Sequence, residues 1–467
     1  MLRLLVILAS LFALADPAWS ADTHYVAKAA DGGSDANNCD ASESVTTPKL
    51  TIASAMGCMD PGDTMLVRRG TYSEGLDITS KTTGTAALPY TFQTFSGESV
   101  TLTVMPRGFD ASNRGWYVID GFIVNPGITS DAASQTGGSL TIYNGAHDII
   151  FRNIEITGTR DNVVNIGVGA SNITFQNCSI HDNYGANQLG FRHYGVYISG
   201  GTNITVDHCH IYNNPGGGIH IYPGPMDGVT IQHNKVHNNN RYSESGVGGI
   251  FIYSGNVGQT INNVLVYRNE VYSNATTASG AFPSAGIHVE GTRSTNVRVY
   301  QNTSYNATNY GIKIAASAPS VAVANNIAVG NSPGQLLDQG SGTVLTDNTT
   351  TGSITDYTVS TSDFTLKAGS SAINDCTAIS GFSFNGSAPD CGAHESVPHS
   401  SSLIDTNIMD ITFGMSLNTP LLPSSGITGF SVSCTGSGCG TPVVASAERK
   451  TGSDSVVRLT ISGITGD

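Results

Sequence analysis

The sequence predicts an all-β solenoid, and three observations carry that prediction. A Gly-[Val/Ile]-x-[Ile/Val] pattern recurs at Gly195, Gly218, Gly249, Gly286 and Gly311, with degenerate copies at Ser139 and near Val163. A second pattern follows each copy: NITFQNCSIHDN from Asn172, NITVDHCHIYNN from Asn203, GVTIQHNKVHNN from Gly228, NVLVYRNEVYSN from Asn263, NVRVYQNTSYNA from Asn296 and SVAVANNIAVGN from Ser320. Composition agrees, with 55 glycines and only 12% charged residues in 467, a mix that favours strands and turns over helical bundles. A short repeat of strands and tight turns buries its apolar face only by stacking on its neighbours.

The elements follow in order. Arg3, the apolar run Leu4–Leu14 and the small residues Ala18 and Ser20 read as a signal peptide, residues 1–20, cut near Ser20/Ala21. The run is too short for a bilayer core about 30 Å thick, and no later segment is a membrane span. The chain is expected to be secreted, at a bacterial cell surface or in the periplasm. Residues 21–80 are read as a cap and first coil, with a short helix around Ile52–Cys58 covering the strand edges of the open end. Residues 81–395 are the solenoid. Each coil holds three strands. Side-chain alternation points Val196/Ile198, Ile219/Ile221, Ile250/Ile252, Ile287/Val289 and Ile312/Ile314 inward.

The bend between the second and third strands reads Cys178, Cys209, Asn234, Asn269, Asn302 and Asn326 on successive coils. Inward asparagines in register can pair with one another and with the bent backbone. The two thiols are read as small apolar fillers, although strand spacing also brings them within disulfide range. In an oxidising compartment Cys39/Cys58, Cys376/Cys391 and Cys434/Cys439 are candidate disulfides, and zinc lacks the close spacing it would need. Asn172 and Asn203 match the glycosylation pattern, but strand chemistry accounts for them.

These residues resemble the right-handed parallel β-helix proteins of the pectin-lyase-like superfamily, in which an asparagine ladder occupies the second bend. The segments Tyr25–Glu74 and Asp363–Glu395 resemble the two ends of secreted polysaccharide-acting members, so the likeness spans about Tyr25–Glu395. It implies a substrate lying along the sheet of first strands. After a Ser-rich linker, 396–405, residues 406–467 resemble a bacterial Ig-like β-sandwich module, whose completeness is open because the sequence stops just after a strand. The module's role is open between a cell-surface spacer or carbohydrate binder and a structural part.

The spacing of the repeat points to the same face. Gly195 to Gly218 is 23 residues, Gly218 to Gly249 is 31, and Gly249 to Gly286 is 37. The insertions 183–194, 238–247 and 274–284 all lead into the first-strand sheet, as binding loops on a solenoid do. The outward residues of that sheet form two columns. One runs Thr141, Asn165, Tyr197, His220, Phe251, His288, Lys313, and the other Tyr143, Gly167, Ser199, Tyr222, Tyr253, Glu290, Ala315. Exposed Tyr197, Tyr222, Phe251 and Tyr253, with His288, Glu290 and Tyr242, suit sugar rings.

Two chemistries compete. β-Elimination on a uronate polymer needs a base for the C5 proton and positive charge beside the carboxylate. His220, His193 and Lys313 are the candidate bases. Arg192, Arg241 or a Ca²⁺ ion are the candidate neutralisers, and no other cofactor is implied. Glycoside hydrolysis needs two carboxyl groups about 5–9.5 Å apart, where the groove offers Glu290 on a strand and Glu244 in a loop. The family's hydrolase signature and its usual calcium aspartates are both absent, and so is a clear arginine near the base. The scarcity of acids favours a lyase on an acidic polysaccharide. The alternatives are a non-catalytic adhesin-like binder, a hydrolase, or a C5-epimerase using the same proton abstraction. His208, His210, His233 and His237 fall on the back and are read as surface residues without a role. A net charge of −14 argues against nucleic acid as a partner, and a monomer is expected.

Overall fold

The computed structural model describes residues 21–467 apart from 111–112, 130–138, 161, 185–192, 241–247, 256, 275–284, 397–399, 406–407, 413–442, 450–455 and 463–467. Three parallel sheets run the length of a β-helix. The first sheet has eight strands from Leu140–Ile142 to Gly334–Asp338, the second thirteen, and the third ten. The coils from Leu140 onward contribute to all three sheets, those before it to the second and third only, and the pairings are between neighbouring coils.

The register is the one the repeat implies. Val196 pairs with Ile219, Ile219 with Ile250, Ile250 with Ile287, and Ile287 with Ile312. These residues are fully buried, in one apolar column that continues through all three sheets. The glycine opening each copy is there for close approach. A Cβ on Gly218 would lie 2.4 Å from Val236 Cγ1 and 2.7 Å from the Gly249 carbonyl oxygen, which no side chain survives.

Asparagine amides close the second bend. Asn269 Nδ2 donates to Ile231 O (2.8 Å) and to Asn302 Oδ1 (2.9 Å), and Asn269 Oδ1 accepts from the Asn234 backbone N–H (3.0 Å). The same pattern runs on through Asn326 to Asn348. At the other end the column changes chemistry: Cys178 N–H meets Cys209 Sγ at 3.4 Å, and both thiols are buried and unoxidised. A second ladder, not anticipated from the repeat, closes the third bend through Asn183, Asn214, Asn239 and Asn274, with bonds of 2.8–3.1 Å. The three long insertions begin at or just beside its members. Both ladders supply partners to backbone groups that a buried bend would strand.

The N-terminal cap contains the helix Ile52–Cys58. Thr51 caps it, and Glu74 receives the Ile52 and Ala53 N–H groups at 3.1 Å each. Disulfides Cys39–Cys58 and Cys376–Cys391 tie down the two ends. Cys434 and Cys439 lie outside the described residues, as does the signal peptide.

Beyond the solenoid, strands Ser400–Asp405, Ile408–Thr412, Val443–Arg449 and Val456–Ser462 form one antiparallel sheet. The first of these strands falls inside the stretch expected to be a linker. A second sheet, which a sandwich requires, is not seen among the described residues. No helix among them is long and apolar enough to cross a membrane.

Candidate functional site

The outer columns of the first sheet align as the repeat spacing demands. Tyr197 lies beside His220, His220 beside Phe251, Phe251 beside His288, and His288 beside Lys313. In the second column Tyr253 lies beside Glu290. Parallel strands in exact stacking bring flat side chains face to face. The His220 and Phe251 rings are 5.0 Å apart at 12°, Phe251 and His288 4.7 Å at 21°, and Tyr222 and Tyr253 5.1 Å at 11°.

Strand alternation predicts an exposed stripe here, yet His220 and Phe251 are each 6% exposed and His288 is 0% exposed. The flanking rings account for part of this. Tyr194, at the end of the first insertion, packs edge-on against His220 at 4.6 Å and forms an apolar cluster with Phe251, Tyr197 and Tyr253. Tyr194 was legible only as the last residue of an insertion, because nothing in a loop's sequence gives its direction.

Burial changes what the imidazoles can do. Among the described residues neither ring nitrogen of His220 has a hydrogen-bond partner, and desolvation pushes its pKa down to about 3. Burial, then Lys313, then His220 push His288 to about 3 as well. Its Nε2 sits 3.4 Å from Glu290 Oε2, close enough for attraction but not aligned for a hydrogen bond. Both rings are therefore neutral at ordinary pH and weak as bases. His193 is also buried.

Lys313 ends the stack and differs from it. It is partly exposed, and burial lowers its pKa from the usual lysine value while the charge of Glu290 opposes the shift. Among the described residues its ammonium has no hydrogen bond or ion pair. Tyr197, Tyr222, Tyr253 and Glu290 are half-buried around it and along the columns. Arg192, Arg241, Tyr242 and Glu244 lie outside the described residues.

Calcium does not fit what this face offers. A Ca²⁺ ion takes six to eight oxygen ligands, and Glu290 is the single carboxylate in the two outer columns. The one described group of three side chains with converging ligand atoms lies on the second bend instead.

On the back, the histidines pair with one another and with a carboxylate. His208 and His233 both bond Asp207, and His210 Nε2 bonds His237 Nε2 at 2.6 Å.

A chain of stacked parallel coils in three long parallel sheets is a pectin-lyase-like right-handed parallel β-helix protein. The family model described as "right handed beta helix region" matches residues 127–277 and 227–355. Pectate lyase L of Dickeya dadantii (strain 3937) is 27% identical over 407 residues, covering 78% of this chain and 89% of that protein. Pectate lyase L of Dickeya chrysanthemi is 26% identical over 406 residues, with the same coverage. Among solved structures, that of pectate lyase Pel9A aligns over 81% of this chain and 97% of its own, at 17% identity and a TM-score of 0.48.

Proposed function

We propose that the chain is a secreted polysaccharide lyase that cleaves an acidic, uronate-containing polysaccharide by β-elimination, with Lys313 as the base. The observation that carries this reading is the state of Lys313: an amine at the end of an aromatic stack, unpaired among the described residues, with a pKa pulled below the usual range by burial. A base for a C5 proton must be neutral while it works, and desolvation favours the neutral amine. The relationship to two proteins named pectate lyase supports the reaction class.

In the proposed step the Lys313 amine takes the proton from C5 of the uronate. The released electron pair delocalises onto the carboxylate, then forms the C4–C5 double bond as the C4–O bond breaks. The departing oxygen takes up a proton and becomes the new chain end. Tyr222 and Tyr253 offer stacked, half-exposed rings on which sugar faces can dock. Arg192 and Arg241 are the proposed partners of the substrate carboxylate. His288, the last ring of the buried stack, neighbours Lys313 on the adjacent strand.

The test is incubation with a panel of uronate polymers while following the ultraviolet absorbance of unsaturated ends. Absorbance that grows with the native chain and disappears with Lys313→Met supports the proposal. Binding without absorbance on every polymer indicates a carbohydrate-binding solenoid. New reducing ends without unsaturation indicate a hydrolase, and altered C5 configuration without cleavage indicates an epimerase.

A further inference from the structure

We propose that Asp207, His208 and His233 form a binding site for a divalent transition-metal ion of the zinc type, clamping two adjacent coils on the back of the helix. Asp207 and His208 end one second-sheet strand, and His233 follows the next. His208 Nδ1 lies 2.8 Å and His233 Nδ1 3.1 Å from the same oxygen, Asp207 Oδ1. One ligand atom from each residue falls within 4.8 Å of the others. A tetrahedral ion with bonds of 2.0–2.1 Å needs donor atoms about 3.3 Å apart, so small side-chain shifts suffice.

The backbone adds an independent reason. His208 and His233 occupy the left-handed position of the bend, with φ of 52° and 53°. On other coils the same position holds Asn153, Asn177 and Asn325, the residue type that this conformation favours. The turn therefore does not ask for imidazole. Two consecutive coils nevertheless carry one, and both rings aim at a single carboxylate. The next coil carries Arg268, whose guanidinium is turned away to Glu395 at 2.9 Å.

The environment suits an N₂O donor set. The Asp207 side chain is 13% exposed, that of His233 27% and that of His208 47%, so a buried anion lies beneath a rim of imidazoles open to water. The rings stack at 4.6 Å, and Tyr267 closes one side edge-on to His233 at 5.7 Å. Two imidazolium ions face to face would repel, whereas two neutral rings with one carboxylate leave a single negative charge for a dication. In the bound form each imidazole carries its proton on Nε2 and gives Nδ1 to the metal. Imidazole and carboxylate together select zinc-like ions over Ca²⁺ or Mg²⁺. The ion would join coils where the second-bend column is thiol rather than amide, between Cys178/Cys209 and Asn234.

The experiment uses the full chain, stripped with a chelator and titrated with ZnCl₂ alone by calorimetry, beside a His208→Asn/His233→Asn double variant. Asparagine is the native occupant of this turn on other coils, so the variant keeps the bend. The expected result is one equivalent bound, with affinity at least about tenfold weaker in the variant. Zinc at about a hundredfold excess over Kd should raise the melting temperature by about 3–4 °C in the native chain and not in the variant. Absence of stoichiometric binding overturns the proposal. So does equal binding in the variant, which would place the ion at another pair such as His210 and His237. If the double variant does not fold, His208→Asn alone, at the more exposed ring, gives the same decision.

Discussion

Two faces of this helix carry nearly the same ring stack. On the third sheet His181, Tyr212, His237 and Tyr272 lie over one another with centroids 4.5, 5.2 and 4.6 Å apart and planes within 13°. On the first sheet His220, Phe251 and His288 repeat the arrangement at 5.0 and 4.7 Å. Stacked coils place like positions over like, so flat side chains pile up on any face they occupy. The stack alone marks no site. The faces part in how their polar atoms are treated. His181 bonds Asp182 at 2.9 Å and His237 bonds His210, while Phe364 covers Tyr272. His220 is sealed in without a hydrogen-bond partner among the described residues, and three coils on, the same column reaches Lys313, unpaired among them. Unsatisfied polar groups held by a rigid scaffold are costly: among the described residues both nitrogens of His220 and of His288 lack a hydrogen-bond partner on the first sheet, against one ring nitrogen, His237 Nδ1, in the third-sheet stack.

The contrast breaks most sharply at Lys313. Lys313→Met should lower the elimination rate by about 10²–10⁴-fold, the usual contribution of a positioned base, with the circular dichroism spectrum unchanged. The native rate should rise with pH as the amine loses its proton, with a midpoint below the ordinary lysine value of about 10.4. A rate that survives Lys313→Met but collapses in His220→Phe would return the base to the imidazole.

Acid stability sharpens the comparison next. His220 and His288 are neutral in the fold, with pKa values near 3, but protonate near 6.5 when unfolded. The unfolded chain therefore binds more protons below pH 6.5. Stability is fully present above that pH and is lost as pH falls from about 6.5 toward about 3, by up to roughly 5 kcal/mol for each ring. Chemical denaturation of His220→Phe and His288→Phe across this range should give a shallower fall. A slope equal to that of the native chain would mean that the rings are solvated.

The ladders test the scaffold beneath both faces. Asn269→Leu removes an amide that bridges three coils and strands the Asn234 and Asn302 groups it met. The expected loss is about 1–3 kcal/mol, read from the denaturation midpoint, and no loss would show that the bend reorganises. Least of all should follow from ending the chain after Ser396. The cut keeps Glu395, which holds Arg268 and Gln301 at 2.9 and 2.7 Å. The melting temperature should move by less than about 1 °C, because solenoid coils depend on their immediate neighbours.

Much of the fold was legible because a solenoid makes sequence spacing and spatial adjacency the same thing. The repeat of Gly195, Gly218, Gly249, Gly286 and Gly311 placed each strand beside the next coil's strand, and the outer columns followed from alternation alone. The Asn234–Asn326 column was legible for the same reason. The third-bend ladder from Asn183 to Asn274 was equally periodic but went unread, although its members end the four successive repeats that start at Asn172, Asn203, Gly228 and Asn263.

The amino-acid sequence by itself determined the solenoid, its three strands per coil, the register of Tyr197 through Lys313, and the helix that caps the N-terminal end. Those properties depend on local alternation and a fixed repeat. Only the tertiary structure decided that His220 and His288 are buried and neutral, that Tyr194 packs edge-on against His220, that Lys313 is left unpaired among the described residues, and that His208 and His233 converge on Asp207. Burial and pKa depend on what covers a side chain from other coils and loops, and periodicity, which fixes where a side chain points, carries no information about what it meets there.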